Sequence, residues 1–187
     1  MSDNLLPDNY EVPQKTGNYM RWQDGENKFR FLSSAIIGWE TWQDLPDGSR
    51  KPLRTPMDKP FSVEKVPSGD PMDIKHFWAV IVWNYKEEKI QILEITQKGI
   101  QKSLRALERS KDWGSLLDYD ILVTKEGQKL ETEYHVNPVP PKPLSREIEK
   151  VYAESNIDLK ALYTGTDPFS AKTTEVDVND IPDDLSK

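Results

Sequence analysis

The sequence contains no cysteine, which excludes a disulfide framework and a cysteine-ligated zinc site. It has two histidines, His76 and His135, and neither lies in a recognisable nucleophile, metal or acid-base motif. No glycine-rich phosphate-binding pattern is present either. We therefore expect no metal, no cofactor and no enzymatic activity.

The chain also lacks an apolar run long enough to span a membrane, which takes roughly 18 residues or more. Residues 1–13 have neither the basic start nor the apolar stretch of a signal peptide. Hydrophobic residues make up 36% of the chain and charged residues 30%, a balance typical of a modest core with solvated tails. We expect one soluble, cytoplasmic domain with no membrane partner.

The net charge of -7 is unevenly distributed along the chain. Residues 1–14 carry a net charge of -3, residues 15–129 carry +2, and residues 130–187 carry -6. A slightly basic body thus lies between acidic ends. The acidic total therefore does not exclude nucleic-acid binding by the body.

The residue pattern predicts a mainly β fold with five strands. Five segments are rich in β-branched and aromatic residues, and Gly38 lies where a strongly bent strand needs a kink. A helix over 97–110, capped by Thr96, separates the third and fourth segments. This is the element order of a small Greek-key barrel, a fold that often binds single-stranded nucleic acids or sugars. The predicted strands are 28–42, 76–85, 89–96, 119–124 and 130–136.

We divide the chain into an N-terminal arm (1–27), the barrel (28–137), a proline-rich linker with a helical extension (138–164) and a disordered acidic tail (165–187). Inside the barrel, residues 44–75 contain six prolines. Their spacing excludes a helix or a central strand and predicts a long loop.

A protein that binds single strands needs aromatic platforms beside a basic groove, because the strand exposes base faces and a phosphate chain. The predicted strands supply the aromatic residues, and the loop before 76–85 supplies the basic residues. The candidate DNA contacts from these segments are Trp39, Trp42, Arg50, Lys51, Arg54, Lys59, Phe61, Lys65, Lys75, His76 and Trp78.

The same residues allow a structural interpretation. About half of the strand residues of a small barrel point inward, so each aromatic residue could instead belong to the core. Alternation along 76–85 puts Trp78 on the side with more polar ends and Trp83 on the other, which favours Trp78 as the base-facing residue. The basic loop could likewise be a solvated insertion. Its five basic and two acidic residues over 50–65 favour a groove.

The acidic tail has two interpretations. It could simply keep the protein soluble. It could also occupy the basic groove until DNA displaces it, and then offer apolar side chains to a partner protein. The candidate partner-binding residues are Asp180, Ile181, Pro182, Asp183, Asp184 and Leu185.

Several stretches, in their order and spacing, resemble the single-stranded DNA-binding proteins of tailed bacteriophages. They are YMRWQDGENKFRFLSS at 19–34, GWETW at 38–42, HFWAVIVWNY at 76–85, LEITQKGIQ at 93–101 and YDILVTKEG at 119–127. Some members of that family hold zinc through cysteines, which are absent here, and others end in an aromatic residue, whereas this chain ends in Lys187.

The resemblance implies an oligonucleotide-binding (OB) fold that coats single strands during phage DNA replication, recombination and repair in the host cell. It also implies that an acidic C-terminus recruits replisome or recombination proteins. It adds Arg30 to the candidate DNA contacts. It supports Trp39, Trp42, Trp78 and the basic loop residues in the same role.

The leading hypothesis is a sequence-tolerant single-stranded DNA-binding protein without enzymatic activity. The alternative is an acidic phage protein-interaction module that binds a host or replisome protein and no DNA. A third possibility is that RNA is the preferred strand.

Overall fold

The computed structural model describes residues 17–170. Residues 1–16 and 171–187, which include the tail candidates from Asp180 to Leu185, lie outside the described residues. The strands are β1 (Tyr19–Met20), β2 (Gly25–Phe31), β3 (Ile36–Asp44), β4 (Arg50–Pro56), β5 (Lys75–Asn84), β6 (Lys89–Ile95), β7 (Asp120–Glu126) and β8 (Glu133–Pro138). The helices are α1 (Lys98–Arg109), α2 (Arg146–Glu154) and α3 (Ala161–Thr164). No helix within 17–170 is long and apolar enough to cross a membrane.

The strands form one mixed, open sheet of eight strands, in the order β1-β6-β5-β2-β7-β8, with β3 also paired to β5 and β4 paired to β3. β1 lies parallel to β6, and the other pairs are antiparallel. The predicted mainly β fold is confirmed. Residues 17–170 contain eight strands where five were predicted, because the first one divides into β2 and β3, and because β1 and β4 were not predicted.

Both parts of the divided first strand pair with β5. Residues 29–31 of β2 pair with the end of β5, and residues 36–40 of β3 pair with its beginning. Gly38 allows β4 to approach, because a Cβ at this position would overlap the carbonyl oxygen of Thr55. Gly38 predicted a kink, but in the structure it permits close contact between the backbones of β3 and β4.

Strand β4 corrects the prediction of a continuous loop over 44–75. It contains Pro52 and Pro56, and in the described part of the chain it pairs with β3 alone. Proline is tolerated on an edge strand, because an N–H on the outer side has no ladder partner to lose. The proline spacing therefore excludes a central strand but not an edge strand.

The main core lies between the sheet and α1. It contains Val80 and Val82 of β5, and α1 contributes Ile100 and Leu104 from one face. The predicted capping residue is wrong: the helix starts after Gln97, whose Oε1 accepts a hydrogen bond from the Thr96 backbone N–H at 3.2 Å. The apolar spacing that predicted the helix is therefore also the spacing that buries it.

A second core covers the opposite face of β5. Phe77, Ala79 and Ile81 pack there against Leu159 and Leu162 of the segment that contains α2 and α3. The helical segment predicted after the linker thus lies on the outer face of the sheet. As a consequence, both faces of β5 are buried along most of its length.

Candidate nucleic-acid interface

Three aromatic side chains form a row at the start of β5. Trp39 of β3 lies directly opposite His76, with the ring centroids 5.3 Å apart. Trp78 is two residues further along β5 and therefore lies on the same face. Its indole Nε1 donates a hydrogen bond to Nε2 of His76 at 3.1 Å. We call Trp39, His76 and Trp78 the aromatic row.

Hydrogen bonds hold the middle ring of the row in one orientation. An indole N–H can only donate, so Nε2 of His76 is the acceptor. The other ring nitrogen, Nδ1, then carries the hydrogen and donates to the carbonyl oxygen of Gly38 at 2.9 Å. At the end of the row, Nε1 of Trp39 donates to the carbonyl of Met57 at 3.2 Å. The row is thus ordered before any ligand binds.

Each residue of the aromatic row is half-buried, and Trp78 also packs against the main core. Ile37, opposite Trp78 across the β3–β5 pair, is 43% exposed and extends the apolar surface. Asn84 is the polar residue at the end of the Trp78 side of β5, and its polarity was one reason to predict that this side faces the bases. It is buried, and its side-chain amide donates to Gln91 at 2.8 Å. Trp78 is therefore both a core residue and a surface residue.

Trp42 lies on the opposite face of β3 from Trp39. It is 40% exposed, and its indole N–H donates to Oε1 of Glu40 at 3.0 Å. The guanidinium of Arg50 lies 5.5 Å from the indole ring and also pairs with Asp44. Trp42 and Arg50 thus belong to a different surface from the aromatic row.

The prediction of Arg54 as a DNA contact does not fit its burial. Its side chain is 8% exposed and donates to Glu40 at 2.8 Å and to Glu94 at 2.6 Å. Burial, and next the neighbouring Glu40, raise the pKa of Glu94 to about 8. This arginine is held between two carboxyl groups and has a structural role.

Arg30 is also buried, at 3% exposure, and pairs with Asp120 at 3.4 Å. Its Nε donates to the Leu117 carbonyl and its Nη2 to the Lys142 carbonyl, each at 3.0 Å. The guanidinium therefore joins β2 to the proline-rich linker. Like Arg54, Arg30 does not fit the predicted role of a DNA contact.

Asp120 is the centre of this buried cluster. Its carboxylate also accepts a hydrogen bond from the Tyr85 hydroxyl at 2.8 Å and lies 3.1 Å from Nζ of Lys142. Burial, and next the hydrogen bond to Asp120, raise the pKa of Tyr85 to about 12.

The lysines of the predicted groove are at the surface: Lys51, Lys59, Lys65 and Lys75 are exposed. Lys51, Lys65 and Phe61 line a cavity of about 230 Å³. Its other wall is formed by Leu162 and Tyr163 of α3. The Tyr163 hydroxyl also donates to the Ile37 carbonyl at 2.7 Å. The C-terminal segment is thus part of this surface, which the sequence did not indicate.

A larger cleft of about 300 Å³ lies beside Trp78. It is bordered by the link between β2 and β3, by the end of α1 and by the turn at Leu116–Asp118. We call it the Trp78 cleft. Three residues at it, Ser34, Glu108 and Leu117, were not predicted as site residues, because sequence alternation does not show which segments meet there.

No family model, no curated protein and no solved structure matches this chain. Within residues 17–170, no group of three or more metal-ligating side chains is close enough to hold a metal ion.

Proposed function

We propose that the protein binds single-stranded DNA without strong sequence preference and has no enzymatic activity. The proposed fold is an OB-type barrel, whose five principal strands are β2 with β3, then β5, β6, β7 and β8. The strand pairing supports this assignment, because α1 lies between β6 and β7, and β7 returns to pair with β2.

The observation that carries the proposal is the aromatic row. Two indole rings on one face, with an imidazole between them, offer stacking surfaces to successive bases. Each stacked base contributes about 1 to 3 kcal/mol in proteins of this type, whatever its identity. Because the hydrogen bonds of His76 already fix the rings, little ordering remains to be done on binding.

The exposed lysines are the proposed phosphate contacts. Lys75 pairs with Glu40, on the face of β5 opposite His76. Lys51 lies on β4 beside the cavity at α3. These long side chains would reach a strand on the aromatic row around the edge of the sheet. Lys59 and Lys65 follow in the loop after β4. Arg30 and Arg54 are left out because they are buried in ion pairs. Binding through lysines should weaken as salt concentration rises.

The proposed biological role is the coating of single strands during phage DNA replication, recombination and repair. This role is the one that the predicted resemblance to phage single-stranded DNA-binding proteins implies. Recruitment of partner proteins through residues 180–185 remains a prediction.

Titration of the full chain with oligothymidylate, followed by tryptophan emission, tests the proposal. We expect quenching that weakens steeply with salt. Trp39→Ala should lose about five- to a hundredfold in affinity, whereas Trp42→Ala, on the opposite face of the same strand, should bind almost normally.

Absence of quenching at low salt would contradict the proposal. If a protein that shows no quenching captures a protein partner, it is instead the interaction module. Tighter binding of oligouridylate would identify RNA as the ligand.

A further inference from the structure

The Trp78 cleft is continuous with the aromatic row, because the Trp78 side chain belongs to both. The floor of the cleft is apolar and includes Phe31, Val80 and Leu116, which are buried. Its mouth carries Ile37 and Leu117, two large apolar side chains that are each 43% exposed. A strand that follows the aromatic row therefore passes the opening of an apolar cleft.

We propose that the Trp78 cleft takes up one base of the bound strand and that Glu108 makes it selective for guanine. This inference rests on the proposed function. It adds a single selective position to an interface that otherwise accepts any base.

The volume of the cleft favours a small, flat ligand. At about 300 Å³ it lies at the lower end of the range of small-molecule pockets. It is therefore suited to one nucleobase and too small for several. The Trp78 indole offers a wall on which the face of a base can stack.

The polar groups of the cleft determine which base fits. Glu108 is exposed near the end of α1, and an ionised carboxylate can only accept hydrogen bonds. Guanine presents two adjacent donors, N1–H and the N2 amino group, which match the two oxygens of a carboxylate. Thymine presents one donor between two carbonyl oxygens, which a carboxylate repels. The Ser34 hydroxyl at the same cleft can donate to the guanine O6.

Positive charge on the same helix offsets the repulsion between Glu108 and the phosphates. Arg105 lies one helical turn before Glu108, Arg109 follows it directly, and both are exposed. The carboxylate can thus meet a base edge while the neighbouring guanidinium groups remain available to the backbone of the strand.

The test compares twelve-residue oligothymidylates in which one central base is thymine, guanine, inosine or N1-methylguanine, by anisotropy competition on the full chain. The guanine oligomer should bind about five- to a hundredfold more tightly than the all-thymine oligomer, the range of one bidentate base contact. Inosine, which lacks the N2 amino group, should be intermediate. N1-methylguanine should bind like thymine.

Glu108→Gln should reduce the guanine preference to less than about threefold. Its affinity for oligothymidylate should stay the same or rise, because the carboxylate that repels thymine is removed. The matched control Glu88→Gln, an exposed acid in the β5–β6 turn at the far end of β5, should keep both properties. Equal binding of guanine and thymine oligomers, or a preference that persists in Glu108→Gln, would overturn the inference alone. A chain that binds none of the oligomers would overturn the proposed function with it.

Discussion

Trp78 and His76 are joined by a hydrogen bond of 3.1 Å from the indole N–H to the imidazole Nε2, while the opposite ring nitrogen holds the Gly38 carbonyl at 2.9 Å. One histidine therefore connects β5 to β3 and orients an indole ring. Since the two nitrogens have different roles, the neutral imidazole is the form that satisfies both partners.

Replacement of His76 by Phe keeps an aromatic ring in the row but removes the acceptor. The half-buried Trp78 N–H and the Gly38 carbonyl then each lose a partner, which should lower the free energy of unfolding by about 1 to 3 kcal/mol. Affinity for oligothymidylate should fall several-fold, because the indole is no longer held in place. Denaturant unfolding and anisotropy titration measure the two effects. The same change at His135, which is exposed on β8, should alter neither.

The double role of Trp78 predicts that Trp78→Ala lowers stability as well as affinity. Truncation of a partly buried tryptophan that packs against the core should cost about 2 to 4 kcal/mol. Trp39→Ala should cost less stability, because Trp39 lies outside the main core. Urea unfolding of both variants provides the comparison. If Trp78→Ala is as stable as the wild type, Trp78 is not a core residue.

The exposed lysines should determine the salt dependence of binding. Lys75→Gln should reduce the slope of log affinity against log salt by about 0.7, the value for one phosphate contact on a single strand. Lys86, exposed beyond the far end of β5, provides the matched control, and Lys86→Gln should leave the slope unchanged. Equal slopes for both variants would exclude Lys75 from the phosphate contacts.

The sequence predicted those parts of the fold that depend on local periodicity. The β5–β6 hairpin and α1 were found because alternation and helical spacing reflect burial directly. Strand β4 was missed because its two prolines resemble a loop. Whether proline is tolerated depends on the position of the strand in the sheet, which is a property of the whole fold.

The candidate site was predicted less completely than the fold. The aromatic residues were found by their type, but their division between two faces depends on strand register. Arg30 and Arg54 were expected at the surface because basic residues usually are. Each is instead buried beside a carboxyl group that lies far away in sequence, Asp120 for Arg30 and Glu94 for Arg54. Such pairing cannot be deduced from composition.

The cluster around Asp120 predicts a variant that loses stability without a direct effect on binding. Asp120→Asn removes the charge opposite Arg30 and should cost about 3 to 5 kcal/mol, because a buried guanidinium is left without its counterion. Thermal and urea unfolding measure this loss. Lys28 also lies 3.6 Å from Asp120 but is 40% exposed, so Lys28→Gln should cost less than about 1 kcal/mol. Similar losses in both variants would show that the buried pair has no special role.

Glu94 predicts a pH dependence of stability with a definite sign. Its pKa is raised from the ordinary value of 4.5 to about 8, first by burial and then by Glu40. Between these values the folded state holds a proton that the unfolded state has released. Stability should therefore fall as pH rises from about 5 to 8, by at most about 1.4 kcal/mol per pH unit.

Glu94→Gln isolates this contribution, because glutamine resembles the protonated carboxyl group and does not titrate. We expect the variant to unfold at nearly the same denaturant concentration as the wild type at pH 5 and at a higher one at pH 9. Repulsion from the net charge of -7 also grows with pH, but it acts on both proteins and largely cancels in the difference. Glu88→Gln changes the net charge equally at an exposed turn and should follow the wild type throughout. If the stability of Glu94→Gln falls with pH as steeply as that of the wild type, Glu94 is not the group that holds the extra proton of the folded state.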